Sequence, residues 1–407
     1  MIPTEERRDL FEVLGPGLVT GAADDDPSGV GTYSQVGAQF GYGMVWTMVF
    51  GFPLLASIQA ICARIGATTG MGIAQNLKTH YPPALLRLVV LLLLLANVIN
   101  LGADLGAMAA ALDLLVPGPL LLYTALFGLA SVLLEVFVSY ARYAKVLKWA
   151  TLSLFAYVGV VFVVDVPLGE ALRGTFVPSF TFDRDHAMAL VAIFGTTISP
   201  YLFFWQSGQE VEERHRRHVK PLMVSPRKAG AELARIRTDT LVGMAFSQLV
   251  AVFIIMATAA TLHAHGINDV SSADQAAEAL RPIAGDLAFA LFAIGIIGTG
   301  MLAVPILAGS AAYAVSETFG WTEGLDRKPR EAKAFYGVIA FATAGGVGLN
   351  FIGSKVNVVF DPADTRELTI EHEGHAPFQA KPLVIGERAG KRPQLPEHMQ
   401  PVPAESS

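Results

Sequence analysis

The chain has 407 residues, 53% of them hydrophobic and 16% charged, with a formal net charge of −6. Soluble domains carry about 25% charged residues, so this composition, with a mean hydropathy of +0.48, excludes an ordinary soluble domain and reads as an integral membrane protein of several spans. A single cysteine, Cys62, excludes a disulfide framework and a thiolate zinc site.

Residues 1–10 (MIPTEERRDL) are charged and mixed in sign. They lack the apolar core and small-residue cleavage site of a signal peptide, which predicts that the first span is retained. Apolar runs long enough to cross about 30 Å of hydrocarbon fall at 13–36, 44–63, 84–111, 119–139, 146–164, 187–210, 239–262, 286–316 and 334–353, so nine spans are expected. The first and sixth of these are interrupted. Lys and Arg cluster in alternate gaps. They fill 64–83, 140–145, 211–238, 317–333 and their flanks, with Arg7 and Arg8 at the start, whereas the opposite side holds only Arg173, Arg184 and Arg281. This bias predicts a multi-pass protein of the inner or plasma membrane with a cytoplasmic N-terminus. The basic gap 211–238 reads as a loop against anionic lipid, so the bilayer is an expected partner and nucleic acid is not.

The first interruption is Ala22-Ala23-Asp24-Asp25-Asp26-Pro27-Ser28-Gly29. One Asp at a helix centre costs about 2.5–3.5 kcal/mol on insertion scales, so three cost about 8–10 kcal/mol and cannot face lipid. Pro27 lacks an N–H and clashes with the preceding turn, and Gly29 weakens the helix further. The segment therefore reads as a broken membrane helix whose gap faces water and a cation. The sixth span is interrupted by Gly195, Thr196, Thr197, Ser199 and Pro200. Breaks at matching places in two halves point to an inverted-repeat transporter with a midplane site.

Asp26 is the leading cation ligand. One of Asp24 and Asp25 is expected to cap the second half-helix, and the other to line the water path or touch the ion. Thr196 and Thr197 are expected to bond backbone freed by Pro200. Tyr201 reads as a gate or packing residue. Gln206 is a candidate to face the pathway. Asp104 is a functional candidate in mid-span; its alternative role is a partner for Asn97 or Asn100. Glu135 is either an internal gate acid or an interfacial residue. Trp46, Trp149, Trp205 and Trp321 read as interfacial anchors. No GxxxxGK[ST] loop occurs, so an ATP-driven pump is not expected. No catalytic constellation or cofactor is expected either.

Several motifs resemble the Nramp (natural resistance-associated macrophage protein) family of divalent-metal transporters. Gly15-Pro16-Gly17, Asp26-Pro27-Ser28-Gly29 and Gly37-Ala38-Gln39-Phe40-Gly41-Tyr42 are similar to its first span and following loop. Ala63-Arg64-Ile65-Gly66-Ala67-Thr68-Thr69-Gly70, Ala103-Asp104-Leu105-Gly106, Gly195-Thr196-Thr197-Ile198-Ser199-Pro200-Tyr201 and Ala311–Trp321 follow in family order. The resemblance covers about residues 12–353. It implies an all-α membrane protein of the leucine-transporter type. Two inverted five-helix repeats would move a divalent metal ion by alternating access, usually coupled to protons.

The family binds metal with the Asp and Asn of its first-span motif and the Met of its sixth-span motif. Asp26 matches that Asp. Gly29 stands where the Asn would be, Ser199 where the Met would be and Tyr201 where the His would be. Asp104 matches a family acid, and Ala107 replaces a glutamate. The implied metal set is thus Asp26, Asp25, the Gly29 position and Ser199, with Asp24, Asp104, Thr197, Tyr201 and Gln206 along the pathway. Exchanging a thioether for a hydroxyl leaves an oxygen-only set suited to Mg²⁺, Mn²⁺ or Ca²⁺, and losing the His and Glu weakens or reroutes proton coupling.

Residues 354–407 read as a separate non-membrane tail. The family's tenth helix is not found there, and the segment resembles the C-terminal part of mobile-element transposases. Two alternatives stay open: a shortened non-transporting remnant, and a carrier of a small organic cation on the same fold.

Overall fold

The structure, a computed structural model, describes residues 15–138, 151–179, 181–270, 272–352, 357–361, 364–371 and 378–380. Arg7, Arg8, Trp149 and the start of the expected fifth span lie outside the described residues. The chain divides into two units, Met1–Asn350 and Phe351–Ser407.

In the first unit the Asp-rich interruption separates two half-helices, α1 (Pro16–Asp24) and α2 (Pro27–Phe40). At 9 and 14 residues, neither half can cross the bilayer alone. The chain continues as α3 (Trp46–Thr69), α4 (Ile73–His80), α5 (Pro83–Leu115) and α6 (Leu120–Phe137). After the undescribed stretch come α7 (Phe155–Val163) and α8 (Leu168–Phe176). The second interruption separates α9 (Arg184–Thr197) from α10 (Pro200–Arg216). Three helices complete the unit: α11 (Ala229–Thr261), α12 (Ala273–Phe319) and α13 (Lys333–Ile352).

Among the described residues seven helices are long and apolar enough to cross a membrane, with α9 and α10 counted as one interrupted span. The protein is therefore a multi-pass membrane protein. Expected gaps contain helix: α4 within 64–83, α8 within 165–186, the start of α11 within 211–238, and the first part of α12 within 263–285. The last case arises because α12 bends instead of starting at residue 286. Gly285 sits at φ +83°, a left-handed conformation that costs glycine little, and the kink joins a short polar segment to the long apolar one.

The core is organised around α11, which packs on α1, α2 and α3, while α12 lies along α5. At the α1–α11 crossing a Cβ on Gly21 would collide with the backbone of Gly243, and a Cβ on Gly243 with the backbone of Gly17. Small residues at such crossings let membrane helices approach closely. Trp205 departs from the expected interfacial role. It is fully buried on α10 and meets Tyr313 edge-on, with 6.2 Å between ring centroids.

The second unit contains a three-stranded antiparallel sheet of order β1 (Asn357–Asp361), β2 (Asp364–Glu371) and β3 (Phe378–Ala380). Val358 pairs with Ile370 and Thr369 with Gln379. Among the described residues no helix follows α13.

Beyond the end of α12, burial and the neighbouring carboxylates of Glu317 and Glu212 push Glu323 up to about 9. A carboxyl whose folded pKa is raised binds its proton more tightly folded than unfolded. Its favourable contribution is complete below about 4.5 and is lost as pH climbs to about 9. Glu323→Gln is therefore expected to raise the thermal midpoint at pH 8–9 and leave it unchanged at pH 4, read by thermal unfolding of the purified protein.

Candidate cation site at the paired helix breaks

Proline removes a donor that residue i−4 needs, and both breaks reveal what replaces it. Pro27 leaves the carbonyl of Ala23 without its N–H. The Tyr201 hydroxyl on α10 approaches that oxygen at 2.7 Å and Oδ2 of Asp26 at 3.2 Å. Pro200 leaves the carbonyl of Thr196 bare, and the Ser199 hydroxyl donates to it at 2.6 Å. Ser199, rather than Thr196 or Thr197, thus answers the loss at the second break. Thr197 instead donates to Ile193 O at 2.6 Å and lies 3.3 Å from the Tyr33 hydroxyl.

The cap of the second half-helix is Asp26, and not Asp24 or Asp25 as the residue order suggested. Its Oδ1 accepts from the Gly29 N–H at 2.6 Å and the Ser28 hydroxyl at 2.7 Å. Pro27 at the first helical position fixes this register, because it leaves the preceding residue as N-cap. Asp24 is pulled to α11, where Ser247 donates to its Oδ2 at 3.0 Å. Asp25 is fully buried, and neither of its carboxylate oxygens accepts a hydrogen bond among the described residues.

Asp104 joins the site from α5. Its Oδ1 accepts from the Ser28 N–H at 3.1 Å, and its Oδ2 has no partner. Asn97 points elsewhere, donating to Leu307 O and Ser310 on α12. Gly29 carries no side-chain ligand. A Cβ there would lie 3.2 Å from Thr196 Oγ1, so the threonine occupies the space that a longer residue would need. Asp24, Asp25, Asp26 and Asp104 are each at most 2% exposed. None of them enters an ion pair among the described residues. Nor is any group of three or more His, Cys, Asp or Glu side chains there placed to hold a metal ion together. The donors are carboxylates and hydroxyls presented from both sides of a gap.

Access to the two sides differs. A cavity of about 560 Å³ has Pro27 and Ser28 in its wall, with Ala103 and Ala107 on α5 and Asp185 and Asp269 among its other lining residues. The opposite side is closed. Gln206 accepts a hydrogen bond from Thr20, tying α10 to α1. Asp239 on α11 accepts from the N–H groups of Gly15 at 2.9 Å, Gly17 at 2.8 Å and Leu18 at 3.2 Å. Arg235 bonds Glu210 at 2.5 Å and Glu232 at 2.8 Å, and stands 3.9 Å from Asp239. Sequence reading missed Asp239, the first residue of the expected span 239–262. Glu135 is 1% exposed, and its carboxylate has no hydrogen-bond partner among the described residues.

Residues 17–360 match the family described as natural resistance-associated macrophage protein-like, Nramp. The chain belongs to the Nramp family. The match runs past the expected domain boundary at residue 353. Similar proteins include the divalent metal cation transporter MntH of Mesorhizobium japonicum, 28% identical over 300 residues, covering 72% of this chain and 64% of that protein. MntH of Yersinia enterocolitica is 26% identical over 307 residues, covering 74% of this chain and 71% of that protein. The crystal structure of the Eremococcus coleocola manganese transporter with an aromatic bis-isothiourea compound aligns at a TM-score of 0.65 and 16% identity, over 85% of this chain and 78% of that one. The Nramp chain thus has the leucine-transporter-type fold.

Capping and charge at Asp26 separate by substitution. Asp26→Ala is expected to cost about 1 kcal/mol of stability through loss of the cap. Asp26→Asn keeps an acceptor for Gly29 and is expected to unfold close to wild type, as measured by thermal denaturation in detergent.

Proposed function

We propose that this Nramp chain carries a divalent metal cation across the cell membrane by alternating access. The ion binds between the half-helix pairs α1–α2 and α9–α10. The observation that carries this reading is the unpaired acid at the gap. Both oxygens of Asp25, Oδ1 of Asp24 and Oδ2 of Asp104 are buried without a hydrogen-bond partner among the described residues. A buried carboxylate without a compensating charge is costly, and a visiting cation supplies that charge.

The steps follow from the geometry. A cation enters the cavity beside Pro27 and Ser28 and meets Asp26, Asp104 and the neighbouring carboxylates. Release on the other side requires α1 and α10 to part. That motion breaks the Thr20–Gln206 bond and frees the first turn of α1 from Asp239. The Lys/Arg distribution supports a cytoplasmic N-terminus, with the closed side facing the cytoplasm. The names of the MntH relatives support a divalent metal as cargo. Ser199 in place of a thioether makes the donors oxygen-only and favours Mn²⁺ or Mg²⁺. With Tyr201 and Ala107 at two positions of the family's proton route, proton coupling is weak or rerouted.

Uptake into vesicles containing the purified protein tests this. Mn²⁺ uptake competed by Mg²⁺ is expected, and Asp26→Asn and Asp104→Asn are each expected to lower it at least about tenfold, the loss of roughly one charged ligand interaction. Strong Cd²⁺ or Fe²⁺ uptake with no Mg²⁺ or Mn²⁺ uptake overturns the hard-cation assignment.

A further inference from the structure

A second cavity lies away from the helix breaks, along the seam of α3 and α11. Its volume is about 1110 Å³. On α3 its lining runs from Phe52 through Ala56 and Ala60 to Arg64, residues spaced so that they share one helix face. On α11 it includes Leu233, Arg237 and Leu241. The small residues create the hollow, because larger side chains there would fill the seam. Ser57 also lines it, but its hydroxyl is spent on Pro53 O at 2.6 Å.

The groove is long, apolar and charged at one end only. From Phe52 to Arg64 the helix rises about 18 Å, comparable to the roughly 15 Å of half a bilayer's hydrocarbon. Arg64 stands near the end of α3 and Arg237 near the start of α11, so both mark the same end. That end adjoins the gaps 64–83 and 211–238, which carry Lys78, Lys220, Arg227 and Lys228. The groove lining contains no carboxylate. Neither Arg64 nor Arg237 enters an ion pair among the described residues. Ile61 and Leu241 on the walls are 55% and 37% exposed.

We infer that this groove is a binding site for one anionic phospholipid. The headgroup phosphate lies between Arg64 and Arg237, and an acyl chain lies against Ala60, Ala56 and Phe52. Paired guanidinium groups suit a phosphate, to which each can donate two hydrogen bonds. Basic pockets between spans on the positively charged side are where such headgroups collect. The site does not depend on which cation the protein carries, nor on whether it carries one.

Native mass spectrometry of the full chain, released from mixed phosphatidylglycerol and phosphatidylcholine micelles, tests the inference. Wild type is expected to retain one phosphatidylglycerol in preference to phosphatidylcholine. Arg64→Gln with Arg237→Gln is expected to weaken retention about 25-fold, each arginine contributing about fivefold. Ala60→Trp, which fills the groove and keeps both cations, is expected to abolish retention. Arg87→Gln, on another helix, is expected to change nothing. Equal retention of the two lipids by wild type overturns the site, as does undiminished phosphatidylglycerol retention in the double variant. Should the double variant not fold, undiminished retention by Ala60→Trp overturns the site on its own.

Discussion

The structure of the site depends on one hydrogen bond between two broken helices. Pro27 strips the carbonyl of Ala23 of its helical partner, and the Tyr201 hydroxyl, from beyond the second break, takes that place. The same hydroxyl reaches Asp26, so it ties the two interruptions to each other and orients the leading carboxylate. Without such a contact each gap would leave backbone acceptors buried and unpaired, which a membrane interior tolerates poorly. The replacement donor comes from a side chain, and side chains can let go. A helix hydrogen bond would have made the joint rigid; this one leaves it able to rearrange.

Asp26 shows how structural and chemical roles share one residue. As N-cap it satisfies the first turn of α2 with one oxygen, and it turns the other toward Tyr201. Anions at a helix N-terminus are favoured by the aligned peptide dipoles, which lowers the cost of a charge on Asp26 at this gap. The neighbouring acids lack this compensation. Asp25 has only the Ser247 hydroxyl near it, already bonded to Asp24, and Asp24 and Asp104 each have one oxygen unmet. The site therefore gathers more carboxylate oxygens than its own hydrogen bonds satisfy.

The closed side uses different chemistry. Asp239 gathers three N–H groups from the first turn of α1, and Arg235 links α11 to Glu210 on α10. These bonds join exactly the elements that must separate if the site is to open that way. The cavity on the other side is tied only by neutral donors, the Val270 N–H to Gln35 at 2.6 Å and the Ser28 N–H to Asp104 at 3.1 Å among its described lining residues, and Pro27 and Ser28 in its wall bring it to the first turn of α2, where Asp26 is the cap.

Much of the architecture was legible from the residues alone. Long apolar runs, alternating basic gaps and two Pro/Gly interruptions each follow from local physics: desolvation cost, charge at the interface, and a missing N–H. That Asp26 lies at the first helix break and Asp104 within a span was readable for the same reason. What only the tertiary structure decided were the partners. Which Asp caps α2, the use of Ser199 and Tyr201 as replacement donors, and the capture of α1 by Asp239 all join residues far apart in sequence. A sequence reports that a carbonyl or a carboxylate needs a partner. Only packing determines which side chain arrives within hydrogen-bond reach.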